Sequence, residues 1–499
     1  MMRFIKKLVF LFTLIGSAKA ELPQEHLSLS DLDQYIQNTM QDWKIPGLAI
    51  AIAKDNKIIF IKGYGVLKVG NPNKINENTI FAIGSCTKSF TATALGILVD
   101  EGKISWDDKV QHHLANFQVA DPYITKELTI RDILSHRSGL DPSDTLWSIM
   151  NLDSKAILQR LCYIKTIAPL RSSWIYNNIF YLVAGEIITA ASKTSWHDFI
   201  KTRLFMPLGM INSFTCSKEI QNLNNIASCH FYDDAKEEIV AIPWKNIDNI
   251  APAGAIASSI ADMAKWLLFN LDCNNEKLLS FSSHQELYSP QIARPETPML
   301  PSKINFYGLG WSLQEYKGLK LISHNGGFYG TTSRIAMLPE KHLGVVVLTN
   351  MQGSLITHDL ILHIFDEYLG GEKTNWHKNL LEYAQKLKDK AQKEAKMMQE
   401  QQDFLTTTFD DFLGCYHNDL YGDLVITQNH EKLHFTFYSL TDDLTHLQND
   451  SFLFVPTKEC FYISQTVLNF IKNKNGKIDA VIVKGFVNET FHKLSFKND

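Results

Sequence analysis

The sequence predicts an α+β domain followed by an all-β tail, and three observations carry that expectation. Apolar strand pairs stand near both ends of residues 27–371, with helical stretches between them. An amphipathic run without Gly or Pro fills 373–402. Beyond it, residues 404–499 alternate apolar and polar positions between turn residues.

Taken in order, the N-terminus has Arg3, Lys6 and Lys7, an apolar run from Leu8 to Gly16, and the small residues Ala18 and Ala20 around Lys19. That is the layout of a secretory signal over 1–20, cut after Ala20, and it predicts a periplasmic or secreted protein. No cysteine stands near the cut, and no later stretch is apolar for the roughly eighteen residues a span requires, so no membrane span is expected once the signal is removed. "GLAIAIAKDNKIIFIKGYGVL" (47–67) reads as two strands turning at Asp55-Asn56, and "RIAMLPEKHLGVVVLTN" (334–350) as a second hairpin. Helices are expected at 86–100, 179–191 and 259–271. Strands at both ends with helices between them call for a sheet that joins segments far apart in sequence, an α+β arrangement.

In 373–402, Trp376, Leu380, Ala384, Leu387, Ala391, Ala395 and Met398 recur at three- and four-residue steps, which predicts a linker helix. In the tail, Leu433, Phe435 and Phe437 alternate with polar neighbours, and Asn475-Gly476 separates two apolar runs as a hairpin turn would. A small barrel fits 404–499.

The formal net charge of -4 provides no basic field for nucleic acid. There is no phosphate loop, and "GYGVLKVG" (63–70) has the wrong spacing for a dinucleotide fingerprint. Cysteines 86, 162, 216, 229, 273, 415 and 460 include no Cys-x-x-Cys, and none of their spacings suits a zinc site. Whether any of them pair is left open.

Chemistry concentrates in three stretches. "FAIGSCTKSF" (81–90) sets Ser85 three places before Lys88 at the start of an apolar helix, so the two share a face. A lysine buried there loses part of its basicity, which suits a general base. "SSWIYNNIFYLVAGEII" (172–188) holds Tyr176 and Asn178 on a polar loop before a helix, a phenol able to relay a proton and an amide able to clamp. "LISHNGGFYG" (321–330) leads from a strand into His324, Asn325, Gly326 and Gly327, glycines that allow close backbone approach and an oxyanion hole. Each also has a plain structural reading: a helix cap with a snorkelling lysine, a buried tyrosine beside a capping asparagine, a Gly-rich turn. A second Tyr-x-Asn stands at 416–418 and a second His-x-Gly at 342–344, both in other contexts. Their order along the chain, each in its matching local setting, separates the readings.

In these motifs the sequence resembles the serine β-lactamase and penicillin-binding-protein superfamily, nearest its branch of class C β-lactamases, D-alanyl-D-alanine carboxypeptidases, D-aminopeptidases and esterases. Ser85-Cys86-Thr87-Lys88, Tyr176-Asn177-Asn178 and His324-Asn325-Gly326 match its three motifs. "LTIRDILSHRSGL" (128–140), "MPLGM" (206–210) and "APAGAIASSIADMAKWL" (251–267) look like its recurrent segments, so the likeness covers about 27–370. The tail is similar to the lipocalin-like barrel appended to some family peptidases.

The resemblance implies a β-lactamase-like antiparallel sheet flanked by helices with a helical subdomain, and an exported serine hydrolase. Ser85 attacks a carbonyl, Lys88 and Tyr176 carry its proton, and the backbone N–H groups of Ser85 and Gly327 hold the oxyanion. Asn178 orients Lys88 and the substrate amide, His324 contacts the substrate's polar end, and the implied mechanism needs no metal and no organic cofactor. The implied substrate is a small peptide, ester or β-lactam, with a D-amino-acid peptidase, carboxypeptidase or esterase preferred. His324 stands where many lactamases have lysine, which makes a lactamase the second choice. Gly-x-Ser-x-Gly is absent, so an α/β-hydrolase elbow is excluded. A non-catalytic peptidoglycan- or partner-binding module is the rival from another class. Loss of the serine, lysine or tyrosine would favour it, but all three are present. The oligomeric state and the fold of loops 140–172 and 285–305 stay open.

Overall fold

The computed structural model describes residues 28–273, 277–296, 299–300, 302–399, 408–455 and 465–494. The leader expected at 1–20 lies outside them, as does Cys460. Asp55 (φ 51°) and Asn56 (φ 59°) form the left-handed two-residue turn that a tight hairpin requires. It joins Gly47–Lys54 to Lys57–Gly65. The second expected hairpin pairs Thr331–Leu338 with Leu343–Thr349, turning at His342.

These hairpins meet in one sheet, because Gly47–Lys54 pairs antiparallel with Leu343–Thr349, Ile50 opposite Val347. The sheet has eight strands, and Leu319–Phe328 lies beside Thr331–Leu338 within it. Alternation sends successive side chains to opposite faces. Ala49, Ala51 and Ala53 face the core that holds Phe90, Trp266 and Leu267. Leu48, Ile50 and Ile52 face Leu32, Ile36 and Phe365, on helices Leu29–Asp42 and Ile356–Leu369. The sheet is therefore covered on both sides, and the helix Thr87–Asp100 is buried from Thr87 to Leu98. Phe90 on that helix stacks on Trp266 with centroids 3.8 Å apart.

A helix over Trp376–Gln399 follows, its start tied to the body by His377, which meets Asp359 at 2.6 Å and Asp42 at 2.9 Å. From Gly414 to Lys493 nine strands form one antiparallel sheet. Its two outer strands, Leu440–Asp443 and Thr445–His446, are separated in sequence only by Leu444, so the sheet curls into a nearly closed barrel. Phe435, Phe437, Phe452, Phe470 and Phe491 are buried there. Among the described residues no helix is long and apolar enough to cross a membrane, and Cys86, Cys162, Cys216, Cys229, Cys273 and Cys415 are free thiols.

Candidate active site

The sequence reading starts a helix near Ser85. The structure puts Ser85 in a single 3-10 turn, Gly84–Cys86, with the α-helix starting at Thr87. Gly84, at φ 49°, makes the sharp entry. Lys88, in the first turn of that α-helix, keeps the same face as Ser85, and its Nζ stands 3.1 Å from Ser85 Oγ. The strand Leu319–Phe328 reaches this turn because glycines meet it. A Cβ on Gly326 would overlap the Ile83 carbonyl and the Ser333 hydroxyl, and one on Gly84 would lie 2.6 Å from the Gly327 carbonyl oxygen.

Tyr176 donates its hydroxyl to Ser85 Oγ at 2.7 Å. Asn178 occupies the N-cap of Ile179–Ser192 but makes no side-chain cap bond. Asn177 accepts from Phe180 N instead, at 3.2 Å. That leaves Asn178 Oδ1 to accept from Lys88 at 2.7 Å, while the Ala253 carbonyl accepts from the same amine at 2.8 Å. His136, buried and in the left-handed region at φ 62°, accepts from Asn177 N at 3.1 Å. Its ring centroid lies 4.4 Å from that of Tyr176, so it fixes the loop from behind.

Burial pushes the Lys88 ammonium down to about 7, against a raising influence from Asp144. Burial also holds the Tyr176 phenol well above its ordinary value, so it keeps its proton at neutral pH. The neighbours suit either state of the amine. As an ammonium it donates to all three neighbours, Asn178 Oδ1, Ala253 O and Ser85 Oγ; as a neutral amine it keeps the first two bonds and turns its lone pair to Ser85. Ser85 can thus give its proton to Lys88 while accepting one from Tyr176.

His324 is placed differently from the sequence expectation. It is 3% exposed, its Nε2 lies 2.8 Å from the Tyr307 hydroxyl and its Nδ1 2.7 Å from the Asn325 carbonyl. Burial pushes it down to about 3, so it is neutral. With both nitrogens engaged and Tyr307 from the neighbouring sheet strands over it, His324 does not border the cavity, whereas Asn325, Gly326 and Gly327 do. The cavity, about 450 Å³, opens on Ser85 and Asn178 and is walled by Trp147, Ile250, Tyr329 and Leu355. Among the described residues no Asp, Glu, Lys or Arg borders it. The Cys86 thiol faces away, 3.3 Å from Ser333 Oγ, and burial pushes it up to about 11, which leaves it unreactive. Tyr416 and Asn418 serve the barrel, their side chains bonded to the Phe412 and Thr490 carbonyls.

Sequence reasoning missed Asp144 and Trp147. Their only signal was position in a loop whose path cannot be read from its residues.

Against known proteins, residues 32–361 match the sequence profile of the family described as Beta-lactamase. The chain belongs to the β-lactamase family. Within its match to a curated relative, the unguisins hydrolase ungD of Aspergillus violaceofuscus, it is 29% identical over 345 residues, 64% of this chain and 61% of that protein. It therefore spans less than two thirds of that relative's length. To penicillin-binding protein 4 of Amycolatopsis lactamdurans it is 27% identical, over 65% of this chain and 85% of that one. The octameric penicillin-binding protein homologue from Pyrococcus abyssi superposes with a TM-score of 0.64 at 22% identity, covering 93% of this chain and 100% of the other. That likeness is one of fold, and it extends beyond the family match, which ends at Ile361.

Proposed function

We propose that the chain is an exported serine hydrolase that forms an acyl-enzyme at Ser85 on a small peptide or ester. The observation that carries this reading is the amine of Lys88, poised between two acceptors and the Ser85 hydroxyl, with the Tyr176 hydroxyl on the other side of the same oxygen. Family membership supports it.

Ser85 Oγ bonds to the substrate carbonyl carbon as its proton passes to Lys88 Nζ. The carbonyl oxygen, now negative, is held by the backbone N–H groups of Ser85 and Gly327, both at the cavity wall. The bond to the leaving nitrogen or oxygen breaks as Tyr176 gives that atom its proton, and the Lys88 proton returns the phenol to its neutral state. A water molecule then loses a proton to Lys88 while its oxygen bonds to the acyl carbon. Ser85 leaves with a proton and the acid is released.

The uncharged cavity wall favours a neutral ester or an internal peptide amide. A D-peptide carboxypeptidase is the second reading, favoured by Arg334. That guanidinium is 7% exposed, has no ion-pair partner among the described residues, and meets His358, which borders the cavity.

The test is the intact mass of the protein after treatment with a fluorophosphonate and, separately, a penicillin, with Ser85→Ala alongside. The expected result is a single adduct with the fluorophosphonate on the native chain and none on the variant. Labelling of both, or of neither, overturns the acyl-enzyme reading. Turnover of a p-nitrophenyl ester against a peptide ending in D-alanyl-D-alanine then ranks the two substrate classes.

A further inference from the structure

The Asn178 carboxamide is symmetric enough in shape to sit either way round, yet Lys88 needs its oxygen. What settles the orientation is Asp144. Asn178 Nδ2 donates to Asp144 Oδ1 at 3.2 Å and lies 3.3 Å from Oδ2. An amide turned over would set its oxygen against the carboxylate and its NH2 against the amine. Trp147 Nε1 donates to Oδ1 at 2.7 Å and fixes the carboxylate.

Asp144 begins a one-turn helix, Thr145–Ser148, and the barrel grips that turn. Thr145 Oγ1 donates to the Phe486 carbonyl at 2.6 Å, and Ser439 Oγ to the Ile149 carbonyl at 3.4 Å. The Tyr421 hydroxyl meets Ser143. Leu146, Ile149 and Met150 belong to the same continuous apolar core as Leu420, Tyr421 and Phe437. The body adds Asn249, which donates to the Trp147 carbonyl at 3.1 Å.

We propose that Asp144 is a positioning residue for Asn178 and Lys88, and that the C-terminal barrel is the clamp that keeps it in register with them. The inference rests on the acyl-enzyme reading above and gives the barrel a part in the reactivity of Ser85.

The pH dependence follows from the charges around the amine. Asp144 raises the Lys88 pKa, while Cys86, His136, His324, Tyr176 and Tyr181 face the same amine, and Asp141 and Tyr421 face Asp144. Removing the carboxylate removes a charge that favours ammonium, so Lys88 deprotonates at lower pH.

The rate of Ser85 labelling by a fluorophosphonate is measured against pH for the native chain, Asp144→Asn, Asp144→Glu and Thr145→Val. Asp144→Asn is expected to lower the plateau rate about 10- to 100-fold and to move the acid limb down by about one pH unit. Asp144→Glu restores the limb, and Thr145→Val moves it part of the way. The double variant Asp144→Asn/Thr145→Val shifts no further than Asp144→Asn, because both act through one group. An Asp144→Asn limb that stays in place overturns the positioning role. A Thr145→Val protein that melts lower but keeps the native limb and plateau overturns the clamp. Should Asp144→Asn not fold by circular dichroism, Asp144→Ser is measured in its place, and a limb that stays at the native pH in that variant overturns the positioning role. Labelling that persists in Ser85→Ala instead removes the acyl-enzyme reading beneath it.

Discussion

At the scale of the residue, Lys88 exchanges stability for reactivity. A free lysine ionises near 10.5, but in the fold this one does so at about 7, through burial. Between those values the unfolded chain binds the extra proton, so folding stability rises with pH across that window, and the deficit is fully present below 7. The same neutral amine is the base that the proposed reaction requires beside Ser85. Urea midpoints measured from pH 7 to 9.5 are expected to climb more steeply in the native chain than in Lys88→Met. Equal slopes would show that Lys88 stays charged in the fold. The buried cysteines and tyrosines are common to both proteins and cancel.

At the scale of the element, the decisive contact is the strand Leu319–Phe328 against the turn that holds Ser85. Two neighbouring glycines in it have opposite demands. Gly326 has no room for a Cβ, whereas a Cβ on Gly327 would meet nothing within 4 Å. Gly326→Ala is therefore expected to cost about 1–3 kcal/mol, since backbone and not a flexible side chain must yield. It is also expected to slow Ser85 labelling by roughly 100-fold, because the strand shifts away from the nucleophile. Gly327→Ala should melt within a degree or two of the native chain. Equal melting temperatures for the two variants would mean that the strand does not press on the turn.

At the scale of the whole molecule, the question is whether body and barrel fold as one. An ion pair between them, Lys165 with Glu489, involves a lysine side chain that is 63% exposed, so it adds little. The apolar core is another matter. Leu140 and Leu146 of the body and Phe435 and Phe491 of the barrel lie in one continuous cluster. Calorimetry is expected to give a single endotherm for the full chain, with tryptophan fluorescence and far-UV circular dichroism changing together. Two resolved endotherms would show that the shared core does not couple the parts.

The sequence by itself determined the elements and which side chains are candidates for the chemistry. The hairpin at Asp55-Asn56, the helices near 86–100, 179–191 and 259–271, and the spacing of Ser85 and Lys88 follow from local periodicity and turn chemistry, which act over a few residues. It could not decide that Ser85 stands on a 3-10 turn, because that depends on Gly84 fitting under a strand more than two hundred residues later. His324 was legible as a motif residue but not as a buried one, since Tyr307 covers it only once the sheet has formed. Asp144 carried no motif at all. Its meeting with Asn178 is set by a loop held between Asn249 and the barrel, and the energies that place a loop come from packing partners distant in the chain. Local sequence specifies what a segment becomes and which chemistry it carries. Only the tertiary structure decided which nitrogen, oxygen and carboxylate meet, because those distances are fixed by burial and by long-range contacts.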